Sequence, residues 1–266
     1  SAEVKSVDAV PDMVRRAVRT ALTPPTGPVF LALPLDVMME TTDATPERLG
    51  EIPTAGRGDS ESIDRAADAL AEADEPVFVV GDEVARSGTD AVEAVVAAAE
   101  AAGARVHGEI LSYEVDFPYG HDQWAGVLPT AESLAREAMD TDALVFVGCS
   151  TNTTITRHEE ALVGDGTTCV HVTNDVWELG KHAPADVAVL GDPGQAMDEM
   201  ADRLAARVSD AERERRLDRV RTYVSENRRE RPDTIDGRLS KTGLAKAVAR
   251  AAPDALVFNE AVTATT

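Results

Sequence analysis

Between Pro76 and Gly88 a short apolar, mostly β-branched run, Val77-Phe-Val-Val80, stops at Gly81 and gives way to helical spacing. Val92, Val95, Val96 and Ala99 recur at intervals of three and four until Gly103, and the next apolar run begins at Arg105-Val106. Strands without polar alternation suit a sheet buried on both faces, and such sheets are parallel with helical crossovers. The pattern predicts strand 76–80, helix 88–102 and strand 104–107. Upstream, Ser60 is a candidate cap for a helix whose apolar face is Ile63, Ala66, Ala67 and Leu70. Downstream, strands are expected at Ala143–Val147, Cys169–Val172 and Val187–Leu190, with a helix from Pro193 to Val208. The fold class expected is α/β, a doubly wound, mainly parallel sheet flanked by helices.

The remaining stretches fit around this alternation. Residues 11–23 read as a helix with Pro11 in its first turn and Val14, Ala17, Val18, Ala21 and Leu22 on one face. Gly27-Pro-Val-Phe-Leu-Ala-Leu33 reads as a buried strand closed by Pro34. Residues 40–58 lose all periodicity and read as a linker. The aromatic-rich stretch 109–129 reads as irregular, Thr130 as the cap of a short helix, and 151–163 as loop or helix. After Asp210 acids and arginines alternate, as on a solvated helix with opposite charges three or four apart. Residues 241–251 form a further helix, and Ala255-Leu-Val-Phe258 begins a strand that runs out at Thr266, which reads as a chain cut from a longer one.

Charge narrows the function classes. Twenty-six basic against 48 acidic residues give a net charge of -22, and only four lysines occur. Such a surface repels nucleic acid and anionic membrane at long range. A carboxylate-rich, lysine-poor surface suits a cytoplasm of high salt, where screening relieves self-repulsion. No stretch has the length of a membrane span and no signal peptide is evident, so the expected location is cytoplasmic. Cys149 and Cys169 lack metal-ligand spacing and read as small buried thiols.

Candidate chemistry is sparse. No Gly-x-Gly-x-x-Gly follows any strand, and Asp82 and Glu83 at the first strand-to-helix turn argue against a diphosphate there. His158-Glu159 lacks the second histidine of a zinc-protease helix, and Ser112, Ser133 and Ser150 lack a nucleophile-elbow context. His107 and His171 fall in strand positions typical of core histidines. No catalytic and no metal-binding residue is assigned.

Segments spread along the chain nevertheless resemble, in order and spacing, thiamine-diphosphate-dependent 2-oxo-acid enzymes of the acetolactate synthase and benzoylformate decarboxylase type. Gly27-Pro-Val-Phe-Leu-Ala-Leu-Pro-Leu-Asp-Val37 resembles the end of their pyrimidine-binding domain. Phe117-Pro-Tyr-Gly-His-Asp-Gln-Trp-Ala-Gly126 resembles a loop of their middle domain, and Val172-Thr-Asn-Asp175 with Ala185-Asp-Val-Ala-Val-Leu-Gly-Asp192 its paired late strands. Phe258-Asn-Glu-Ala-Val-Thr263 resembles the first strand of the diphosphate-binding domain.

The resemblance implies residues 1–40 as the tail of the pyrimidine domain, 41–58 as linker and 59–209 as a Rossmann-like central domain. Residues 210–252 become a helical linker and 253–266 the start of the diphosphate domain. It implies thiamine diphosphate and magnesium in the parent enzyme, a small 2-oxo-acid substrate and a homodimer or homotetramer. Asn259, Glu260, Thr263 and Thr265 match the run that lines the cofactor diphosphate, although Ala261 and Val262 stand where hydroxyl residues are usual. Gly164-Asp-Gly166 is similar to the family's magnesium triplet, but Asn174 follows too closely and Asn227 too late, so it reads as a hairpin-like turn. The family's flavin-binding members carry a glycine-rich turn where this chain has Gly81-Asp82-Glu83, so no FAD is expected. The isolated chain is expected to be inactive. The alternatives are a free-standing FAD- or NAD-type nucleotide-binding protein and an acidic interaction module.

Overall fold

The computed structural model describes residues 1–52, 54–149, 158–181, 183–227, 232–253 and 255, divided into a unit over Ser1–Val224 and a second over Ser225–Thr266. The first opens with β1 (Ala2–Glu3), a 3-10 turn at Val7–Ala9, α1 (Val10–Leu22), β2 (Leu31–Ala32) and α2 (Leu35–Met38). After an irregular stretch come α3 (Ser60–Glu72), β3 (Val77–Val80), α4 (Asp82–Arg86), α5 (Thr89–Ala102) and β4 (Arg105–Gly108). Then follow β5 (Trp124–Val127), α6 (Glu132–Ala138), β6 (Ala143–Val147), β7 (Thr168–Thr173), β8 (Val187–Leu190), α7 (Pro193–Arg207) and α8 (Asp210–Asn227).

Among the described residues, six strands form one parallel sheet in the order β5-β4-β3-β6-β7-β8. Counted from β3, that is the order 3-2-1-4-5-6 of doubly wound dinucleotide folds, with its switch point between β3 and β6. Alternate residues of each strand serve opposite faces. Phe78, Val80, Val145 and Val147 meet Ile63 and Leu70 of α3, Val95 of α5, and Met197, Met200 and Leu204 of α7. Val77, Val79, Leu144 and Phe146 meet Met139 and Ala135 on the other face. Each such side chain, once buried, contributes about 1.5–3 kcal/mol.

Gly103 ends α5 in the left-handed conformation at φ 67°. A side chain there would also press on Arg216 Cβ at 3.0 Å, because α8 lies against this turn. Arg216 itself is 2% exposed. Its guanidinium donates to Ala102 O at 2.8 Å, Ala71 O at 2.7 Å and Leu70 O at 3.3 Å. One buried cation thereby satisfies the carbonyl ends of α3 and α5 together. Farther along α8, Tyr223 receives the Arg105 guanidinium over its ring, 3.8 Å from the centroid.

Several expectations need correction. The stretch 27–33 is not a buried strand: only Leu31–Ala32 pairs, parallel to Ala2–Glu3, and Phe30 is 69% exposed. An apolar run indicates what a segment can bury, and the six-stranded sheet holds no place for this one. The apolar face of α1 is likewise open, with Leu22 half exposed. The irregular stretch 109–129 contains β5, an edge strand hidden from the pattern by Gly126 at φ 95° and by a register shift against β4. The cap of α3 is Asp59, whose carboxylate accepts from Ser62 N at 2.8 Å, rather than Ser60. Thr130 caps nothing; α6 starts after Ala131 without a side-chain cap. The turn at Gly164–Gly166 leads into β7, which is parallel to β6, so it ends a crossover rather than a hairpin. Finally, α8 is charged outside, yet Arg216 and Val220 are buried.

In the second unit, β9 (Thr234–Ile235) and β10 (Arg238–Leu239) pair antiparallel around Asp236 and Gly237, at φ 51° and 73°. An Asp-Gly pair with both φ positive is the preferred tight hairpin turn. Ser240 Oγ then accepts from Gly243 N at 2.9 Å and caps α9 (Lys241–Ala251).

Candidate functional site

The carboxyl ends of the parallel strands open on a crevice of about 570 Å³. Ligands of doubly wound folds bind there, at the switch point. Its floor is the turn after β3, and its walls come from the ends of β4, β6 and β7. Pro24, Pro25 and Thr26, between α1 and β2, complete the rim.

Carboxylates dominate the lining: among the described residues Asp82, Glu83, Glu109, Asp175, Glu178 and Asp192 face a single guanidinium, Arg86. Glu83 accepts from Thr173 Oγ1 and from Asn174 N, each at 2.6 Å, which ties α4 to the end of β7. Burial pushes its carboxyl up to about 6, assisted by Asp175 and Asp192 and opposed by the two hydrogen bonds. Asp82 Oδ1 accepts from Ser112 Oγ at 2.9 Å, Tyr113 N at 2.8 Å and Glu114 N at 3.1 Å. That anchor holds the segment after β4 across the crevice mouth.

Residues singled out in the sequence fall in three places. Cys149 lies on the crevice wall at the end of β6, buried. Cys169 is fully buried, and burial pushes its thiol up to about 11, which leaves it unreactive. His107 and His171 are core residues, as expected. Burial and Arg105 bring His107 down to about 3, and its Nδ1 donates to Gly126 O at 3.0 Å. Burial also lowers His171, against Pro184 and Asp186, which raise it. The cofactor candidates Asn259, Glu260, Thr263 and Thr265, and Ser150, lie outside the described residues. Among the described residues no cluster of three or more His, Cys, Asp or Glu has metal-binding geometry. Reading the sequence missed Glu109 and Asp116, because a solvated loop and a packed one share the same composition.

A family description, the central domain of thiamine pyrophosphate enzymes, matches residues 63–200, and those residues contain the sheet from β3 to β8. The chain belongs to that family. A protein named probable acetolactate synthase large subunit, from Methanocaldococcus jannaschii, is 26% identical over 79% of this chain and 36% of its own length. Sulfoacetaldehyde acetyltransferase of Castellaniella defragrans is 32% identical over 68% of this chain and 28% of its own. Benzoylformate decarboxylase of Pseudomonas aeruginosa is 28% identical over 69% and 35%. This chain thus spans about a third of the length of the curated relatives it matches. Among solved structures, a Mycobacterium smegmatis protein classed as thiamin diphosphate-dependent superposes with TM-score 0.69 at 29% identity, over 78% of this chain and 39% of that one. The 4-hydroxybenzoylformate decarboxylase of Rhodococcus jostii shares the fold, with TM-score 0.65 at 24% identity over 79% and 40%.

Proposed function

We propose that the chain is the central part of a thiamine-diphosphate-dependent enzyme that decarboxylates or ligates small 2-oxo acids, and that its central domain spaces two catalytic neighbours. The match of residues 63–200 to the family's central domain carries this reading. The open faces of α1 and of Phe30 support residues 1–40 as the tail of a preceding pyrimidine domain. Residues 41–58 then serve as linker, 59–209 as the central domain, 210–252 as a helical linker and 253–266 as the start of the diphosphate domain.

Thiamine diphosphate, held with magnesium, supplies the nucleophile and the electron sink for loss of carbon dioxide. Asn259, Glu260, Thr263 and Thr265 would offer it amide, carboxyl and hydroxyl groups. The rest of the chain orients neighbours rather than touching substrate. The parent works as a homodimer or homotetramer, and the net charge of -22 supports a high-salt cytoplasm as its setting.

The full-length protein decides the matter. With thiamine diphosphate, magnesium and a panel of 2-oxo acids in concentrated potassium chloride, cofactor-dependent release of carbon dioxide or carbon–carbon bond formation is expected. The panel includes an aldehyde acceptor, since one relative is named an acetyltransferase. Failure of every donor with the cofactor bound would sink the proposal, as would turnover by the 266-residue chain alone.

A further inference from the structure

A sheet of this strand order carries a standing expectation of a nucleotide: the pyrophosphate lies on the glycine turn after the first strand, over free amides at a helix start. The residues at that turn do not fit one. Gly81 is required here, but by the chain itself. A Cβ on Gly81 would come within 2.6 Å of Cys149 Cα and would collide with Glu109 Oε2. Three amides of the turn are already engaged: Gly81 N donates to Val147 O at 3.1 Å, Glu83 N to Gly148 O at 2.9 Å and Val84 N to Gly81 O at 3.0 Å.

Glu109 follows β4, the second strand of the fold. An acid at the end of that strand usually reaches outward to a ribose hydroxyl. In this chain its carboxylate leans back over Gly81 instead. The segment that carries it is pinned by Ser112, Tyr113 and Glu114 on Asp82. We propose that the Glu109 carboxylate is an internal plug occupying the diphosphate seat, so that the crevice excludes nucleotides and other polyanions. The inference concerns the central domain itself and holds whatever reaction the parent performs.

Two measurements on the 266-residue chain test it. In the first, amide exchange is followed by NMR with and without ADP or FAD at about 1 mM, a weak-binding concentration. The Gly81, Glu83 and Val84 amides are expected to be protected roughly a hundredfold without ligand and unmoved by either nucleotide. Unprotected exchange, or saturable shifts with ADP or FAD, overturns the plug. The second is a double-mutant cycle of Gly81→Ala with Glu109→Ala. Removing Glu109 is expected to relieve the alanine's effect on the unfolding constant about tenfold, while strict additivity would show that the side chain does not fill the seat.

Discussion

Ser112 Oγ stands 2.9 Å from Asp82 Oδ1 and touches Asp116 Oδ2 on its other side, so a hydroxyl with one proton faces two carboxyl groups. Asp82 already accepts from two backbone amides. Asp116 is 1% exposed and its Oδ1 has no hydrogen-bond partner. Asp116 thus shares a single hydroxyl donor with Asp82. Burial, reinforced by Asp82, Glu109 and Glu114 and opposed by the Ser112 hydrogen bond, pushes Asp116 up to about 6.

A carboxyl raised in the folded state retains a proton that the unfolded chain has released. Stability contributed by Asp116 is therefore present below its ordinary 3.8, falls as pH rises, and is lost above about 6. Glu83 adds to the same fall between 4.5 and about 6. Asp116→Asn mimics the neutral acid and is expected to be more stable than wild type at pH 7.5 by on the order of 1–2 kcal/mol, after discounting for solvent screening. At pH 4 the advantage disappears. Urea midpoints at the two values check it, and a difference independent of pH would refute the raised Asp116 carboxyl.

Arg216→Ala leaves the carbonyls of Leu70, Ala71 and Ala102 without their donor. The expected loss is about 2–4 kcal/mol, seen as a lower urea midpoint with unchanged slope. Arg216→Lys recovers little, because an ammonium cannot reach three carbonyls in a planar fork. Full recovery by lysine would mean that charge alone mattered.

Gly148 follows β6 at φ 61°, and a Cβ there would lie 2.9 Å from Val84 N. Gly148→Ala combines left-handed strain with that collision and is expected to destabilise by about 2–4 kcal/mol. A thermal midpoint within a degree of wild type would contradict the close approach of α4 to β6.

Added potassium chloride screens the surplus of acids on the surface, so the thermal midpoint is expected to rise as salt increases from about 0.1 M toward molar concentrations, over which the Debye length shrinks from about 10 to 3 Å. Arg216→Ala keeps its deficit in high salt, since its lost hydrogen bonds are buried. A midpoint that falls with salt would count against salt adaptation.

Local pattern reaches as far as local forces do. The runs at Val77–Val80 and Ala143–Val147, the helices ended by Gly103 or opened by Pro193, and the parallel crossovers were all legible in the chain. Periodicity, β-branching and turn residues act within a few positions of themselves. The order and spacing of a few short segments were enough to indicate the family. Tertiary structure alone decided the strand order with its switch point, the edge role of β5, and the exposure of Phe30. It also placed Glu109 over Gly81, Asp116 beside Ser112, and Arg216 at the ends of two helices. Each of these joins residues from separate elements, and whether a charged side chain meets water or a buried carbonyl depends on what the fold carries to it.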